Sequence, residues 1–276
     1  MRPTVRPPSP AREPEPTGRV CGGHTGRVDT LGILLDSDIE LIAYTSGPVS
    51  ATDPTVVLLH GIGMSHRTFD RVQPLLAADF RVISLDLPGF GATRKPRRLL
   101  SVADHADAVD GALDRLGVGR RLLVGHSMGT QFAIEQAIRR PAEVAGIVLI
   151  APVVDSERRT LAAQARDLAL DTFREPPGAN ARVLTDYLKC GLVWYLATLK
   201  AMFDYDTEAR MQLTGCPVVV VRGEHDPVAR EPWCHRLAEV APHGVLVTVP
   251  GTAHAVPLTA PAGVAAVVRS MLREMA

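Results

Sequence analysis

Gly125-His126-Ser127-Met128-Gly129 is the stretch of this chain best suited to covalent chemistry. It follows the apolar run Arg121-Leu122-Leu123-Val124 and leads into Thr130–Ala137, whose apolar spacing predicts a helix. A serine with glycines two positions away on each side, set where a strand reverses into a helix, is placed to act as a nucleophile. The reversal strains the apex backbone and crowds its neighbours, and glycine relieves that crowding. The hydroxyl of Ser127 then stands clear, and the N–H of Met128, in the first helical turn, is free to meet an oxyanion. A serine hydroxyl is a weak nucleophile at neutral pH and needs a base within hydrogen-bond reach. Histidine is the usual base, and the chain holds nine.

The elements that must hold this serine alternate along the chain. Gly32–Leu35 and Ile39–Tyr44, separated by Asp36-Ser37-Asp38, predict a hairpin. Pro54–His60, Phe80–Asp86, Ala145–Ile150, Val218–Val221 and Val245–Val249 predict further strands, several of them apolar throughout, as strands buried on both faces are. Helical spacing covers Phe69–Ala78, Pro227–Ala241 and Ala260–Met275. Ser101 and Asp104 form a capping box for a helix that runs to Leu116 and stops at Gly117. Strands separated by helix-length segments predict an α/β fold with a mostly parallel sheet covered by helices on both faces. Residues 156–214 break the alternation, with helical patterns and no strand.

Thirty basic residues balance thirty acidic ones, so no global field draws the chain to nucleic acid or an anionic membrane, and neither is expected as a partner. Cys21, Cys190, Cys216 and Cys234 match no zinc or redox spacing, and reduced thiols in a cytoplasmic protein are the simplest expectation. No apolar run reaches membrane-spanning length; Val144–Val154 is broken by Gly146 and Pro152. Residues 1–28 are proline-rich and charged, lack the apolar core of a secretory signal, and are expected to form a flexible extension. Gly89-Phe90-Gly91 and Gly61-Ile62-Gly63 fall short of a dinucleotide fingerprint, so no cofactor or metal is expected.

Three more motifs accompany the serine in a telling order. His60-Gly61-Ile62-Gly63 precedes it, after a strand; Gly223-Glu224-His225-Asp226-Pro227-Val228 follows it; Gly251-Thr252-Ala253-His254 comes last. In this order the sequence resembles the α/β-hydrolase family from about Val28 to the C-terminus. The resemblance implies an eight-stranded-type sheet, a hydrolase core over 29–154 and 215–276, and a helical cap over 155–214. It implies Ser127 as nucleophile, His254 as base and Asp226 as the carboxylate that orients the imidazole. Asp155, after the preceding strand, is the rival carboxylate, and Asp86 the next. His60 and His126 take loop-supporting positions, while His66 and His225 lie in the wrong loops for the base. Resembling enzymes with a short His-Gly loop draw the second oxyanion N–H from the following residue, here Ile62, beside that of Met128. Gly61 and Gly63 allow close approach of that loop to a substrate, and the side chains of Ile62 and Met128 are expected to line the pocket.

The cap segment carries most of the larger aromatics: Phe173, Tyr187, Trp194, Tyr195, Phe203 and Tyr205. Aromatics at helical spacing ordinarily fill a core, yet a lid this apolar implies a pocket for a small to medium, fairly apolar molecule. Gly61, Gly63, His126, Trp194 and Tyr195 are the expected substrate contacts. The expected activity is hydrolysis of a carboxylic ester, thioester or lactone through an acyl-enzyme. Carbon–carbon hydrolases and cofactor-free haloperoxidase or acyltransferase-like members share the triad, and a non-catalytic receptor on this fold is the reading from another class. No long apolar edge or heptad stands out to specify an oligomer.

Overall fold

Val56–Leu59 and Val82–Leu85 are apolar at nearly every position, and in the computed structural model they lie at the centre of a single sheet. The structure describes residues 27–36, 38–50 and 52–275. The expected extension over 1–28 therefore lies outside the described residues except for Arg27 and Val28, and Cys21 lies outside them too. The described residues form eight strands: β1 (Asp29–Leu34), β2 (Glu40–Ser46), β3 (Thr55–Leu59), β4 (Val82–Asp86), β5 (Arg121–His126), β6 (Val144–Ile150), β7 (Val218–Gly223) and β8 (Gly244–Val249). Their order across the sheet is β1-β2-β4-β3-β5-β6-β7-β8. The hairpin β1–β2 is antiparallel and joins β4 antiparallel, while every pair from β4 to β8 is parallel. Every residue of β3, β4 and β5 is buried, which requires cover on both faces of the sheet.

The cover is helical. α1 (Gln73–Leu76), α2 (Val102–Arg115) and α3 (Gly129–Arg139) link the first strands; α8 (Glu231–Val240), α9 (Val256–Thr259) and α10 (Pro261–Glu274) surround the last ones. Between β6 and β7 the chain forms α4 (Leu161–Arg174), α5 (Pro177–Cys190), α6 (Leu192–Asp204) and α7 (Thr207–Met211), with no strand among them. The capping box of α2 forms as expected: Ser101 Oγ accepts the Asp104 N–H at 3.1 Å, and Asp104 Oδ2 accepts the Ser101 N–H at 2.8 Å.

Two helices are shorter than the apolar spacing predicts. The stretch Phe69–Ala78 gives a 3₁₀ turn at His66–Phe69 and then only α1, because Pro74 cannot donate and its ring would collide with the carbonyl four residues earlier. The same physics moves the start of the Pro227–Ala241 stretch to Glu231, with Pro232 in the first turn of α8. No helix among the described residues is long and apolar enough to cross a membrane.

Candidate active site

Ser127 sits at the C-terminal end of the central strand β5, immediately before α3, with φ at 54°. Non-glycine residues avoid this left-handed region, and the surrounding packing holds it here. The two flanking glycines follow from contact distances. A Cβ on Gly125 would stand 2.3 Å from the Gly129 carbonyl oxygen, and one on Gly129 would stand 2.2 Å from that of Leu59. The Ser127 N–H donates to the Ile150 carbonyl at 2.9 Å, which fixes the apex against β6. Gly61 lies against the serine as well, since a Cβ there would be 3.0 Å from that of Ser127.

Two loops reach this serine from the far strands. Asp226 follows β7 and His254 follows β8. His254 Nε2 lies 3.1 Å from Ser127 Oγ, and its Nδ1 lies 2.9 Å from Asp226 Oδ2. The other Asp226 oxygen accepts the N–H groups of Val228 at 2.8 Å and Ala229 at 2.9 Å, so the carboxylate is held from both sides. Burial works against ionised Asp226, but His254 and these two N–H donors outweigh it and hold its pKa below the ordinary carboxylate range. Burial likewise opposes the imidazolium of His254. The charge of Asp226, with those of Asp171 and Glu175 behind it, wins and raises His254 to about 9. Behind the histidine, His126 Nε2 donates to the His254 carbonyl at 3.0 Å. Burial, and then the charge of His254, push His126 down to about 3.

The rival carboxylates are engaged elsewhere. Asp155 pairs with Arg236. Asp86 accepts from the His66 N–H at 2.7 Å and from the Ala92 N–H at 3.0 Å, and binds the His66 ring and the Tyr44 hydroxyl, which pins the loop after β4. His60 joins two loops, with Nδ1 2.8 Å from the Gly61 carbonyl and Nε2 accepting the Leu87 N–H at 3.2 Å. Among the described residues, neither the Ile62 N–H nor the Met128 N–H meets a hydrogen-bond acceptor.

A cavity of about 430 Å³ opens over Ser127 and His254, walled by Gly61, Ile62 and His126 from the sheet side and by the helical insert from the other. Its apolar wall includes Met64, Leu168, Val183, Tyr195, Leu199 and Leu258. Three expected contacts lie elsewhere. Trp194 packs onto the loop after β4, where a Cβ on Gly89 would meet its indole at 2.3 Å, and this core contact takes it out of the cavity. Gly63 faces the ring of Tyr187, 2.6 Å from where its Cβ would be, so the close approach it permits is to that ring. The Met128 side chain turns into the core, 1% exposed, and does not join the wall.

Two residues of the site were not expected from the sequence. Asp171 Oδ1 accepts the His254 N–H at 3.0 Å, and Glu175 Oε1 accepts the Ala255 N–H at 2.7 Å. Both line the cavity and both are buried. The signal lay in α4, whose buried positions include Gln164, Asp167 and Asp171, followed by Glu175 at its end, while Leu170 and Phe173 face outward. A polar stripe at helical spacing is ordinarily solvated, so the pattern points the wrong way round.

The model of the alpha/beta hydrolase family matches residues 56–267. The uncharacterized hydrolase YugF of Bacillus subtilis is 38% identical over 97 residues, which cover 35% of this chain and 36% of that protein. A haloalkane dehalogenase of Mesorhizobium japonicum is 32% identical over 174 residues, covering 62% of this chain and 54% of the other. The matched region is thus about a third to a half of the length of these curated relatives. Among solved structures, a thermophilic esterase from Thermogutta terrifontis superposes with a TM-score of 0.74 at 22% identity, over 91% of this chain and 99% of the other, a likeness in fold.

Proposed function

Because the chain belongs to the alpha/beta hydrolase family, we propose that it is a serine hydrolase that cleaves an ester, thioester or lactone of a neutral, fairly apolar small molecule. The observation that carries this reading is the continuous chain from Ser127 Oγ through His254 to Asp226, at 3.1 and 2.9 Å. In the proposed reaction Ser127 Oγ attacks the substrate carbonyl and passes its proton to His254 Nε2. Asp226 holds the Nδ1–H and stabilises the imidazolium. The N–H groups of Ile62 and Met128 take the developing oxyanion, each worth about 10²–10³ in rate. The imidazolium then protonates the leaving oxygen or sulfur, and a water activated by His254 hydrolyses the acyl-enzyme.

Several features support the choice within the family. Halide displacement of the dehalogenase kind needs a carboxylate nucleophile, and a serine stands at this apex. Among the described residues no lysine or arginine lines the cavity, whereas Asp171 and Glu175 do, which disfavours anionic substrates. The segment 155–214, arched over the cavity, would serve as the cap that selects the substrate. Cys190, Cys216 and Cys234 are buried and without a disulfide partner among the described residues, which fits a reducing cytoplasmic setting.

The test is labelling with a fluorophosphonate together with hydrolysis of p-nitrophenyl butyrate. Wild type is expected to label and turn over; Ser127→Ala is expected to lose labelling and about 10⁴-fold or more in rate. Retained activity in a clean Ser127→Ala preparation would falsify the assignment. Exclusive cleavage of a dienoic diketone, with no ester turnover, would instead move the protein to carbon–carbon hydrolysis.

A further inference from the structure

The buried face of α4 is polar where an ordinary helix would be apolar. Asp171 is 9% exposed and Glu175 7%, while Phe173 between them is 89% exposed. A fold seeking only packing would turn this helix over. Instead the two carboxylates accept the N–H groups of consecutive residues, His254 and Ala255, and so tie the insert to the loop that carries the imidazole. Glu175 Oε2 is buried with no hydrogen-bond partner among the described residues, which packing alone does not reward.

We propose that Asp171 and Glu175 are positioning residues for His254, two buried carboxylates of the insert that fix the backbone of the histidine loop and add their charge to that of Asp226 in favour of the imidazolium. The proposal rests on the serine-hydrolase reading for its catalytic consequence, though its physical core is a statement about His254 alone. The surrounding groups set the sign. Asp226 faces the ring from the loop after β7, and Asp171 and Glu175 face the same residue from α4. His126, from β5, has its ring 5.3 Å from that of His254 and is neutral, its pKa held down by burial. Burial raises the Asp171 pKa above the ordinary carboxylate range, and the charges of His254 and of the cation Arg174, bonded to the His225 carbonyl at 2.6 Å, act against that rise. The groups of opposite sign around the imidazole therefore outnumber the like ones.

The consequence is measurable with variants that keep the acceptor and remove the charge. In Asp171→Asn and Glu175→Gln the N–H of His254 or Ala255 still has an oxygen to meet. His254 is followed by nuclear magnetic resonance of the imidazole, assigned by loss of its signal in His254→Gln. In parallel, the acid limb of kcat/KM is recorded with p-nitrophenyl butyrate. Both midpoints are expected to fall by about one pH unit in each variant. A pH high enough for neutral His254 in every protein then isolates the tether, with Glu175→Gln as the reference that keeps an acceptor. Glu175→Leu, which leaves the Ala255 N–H without an acceptor, is expected to lose about tenfold there. An unmoved His254 midpoint in both charge-removing variants overturns the electrostatic part, and equal kcat in Glu175→Leu overturns the tether. The resonance measurement reads His254 whether or not an ester is turned over, so failure of the hydrolase reading is seen separately, as absence of Ser127-dependent activity in wild type.

Discussion

Ser127 carries a cost that its neighbours absorb. With φ at 54°, its Cβ sits in a conformation that disfavours any L side chain by about 1–2 kcal/mol. Comparing two variants that both lack the hydroxyl isolates this cost: Ser127→Gly is expected to melt about 2 °C above Ser127→Ala, with both inactive. Equal melting temperatures would mean the apex is not strained. The serine was legible because its surroundings are local: two glycines, a strand before and a helix after. His254 and Asp226 were legible for a similar reason, since each follows an apolar strand in a short motif. Trp194 was misread because a large aromatic on a helix has the same sequence signature whether it faces a ligand or Gly89. Asp171 and Glu175 escaped because periodicity assigns polar positions to solvent, and nothing in the sequence of α4 says that its polar face is the one turned inward.

The order of strands and helices followed from alternation and apolar runs, but the anchors between elements did not. Arg121 opens β5 and reads as the polar edge of an apolar run, yet it is fully buried. Its guanidinium pairs with Asp110 of α2 and with Glu143 in the turn before β6, and Arg140 joins the same carboxylate of Asp110. The start of the central strand is thereby fastened to a helix and to the next strand. Arg121→Met would fill much of the volume but leave Asp110 short of a buried partner, so a loss of about 3 kcal/mol is expected in urea unfolding. A change below about 0.5 kcal/mol would show that Arg140 alone suffices for Asp110. Helix limits were misjudged where proline intervenes. Pro74 and Pro232 sit at positions whose neighbours keep helical spacing, and apolar spacing alone ignores the missing donor.

Seen together, the charges brought from separate parts of the fold set opposed pH dependences for activity and stability. Under the proposed mechanism only neutral His254 can take the serine proton, and His254 is raised to about 9. Activity should therefore rise with pH, by about tenfold per unit between pH 7 and 8, and level off above 9. Stability should run the other way. The raised pKa of His254 contributes stability that is fully present below its unfolded value of 6.5 and is lost as pH rises through about 9. Glu175 is raised to about 7, burial first and the charges of Asp171 and Asp226 after it. Its ionisation costs stability from its unfolded value of 4.5 upward, a cost complete above about 7. Asp226, held below 3.8, contributes stability present above that value and lost only in stronger acid, so it does not enter this window. Buried His60, His105 and His126, with lowered pKa values, work in the opposite sense below their unfolded value of 6.5. The melting temperature is thus expected to decline between pH 7 and pH 9 while kcat/KM climbs, and the decline should shrink in Glu175→Gln, where His254 loses a neighbouring charge. A melting temperature flat across that range in both proteins would mean that the insert's carboxylates and His254 are not coupled as their hydrogen bonds imply.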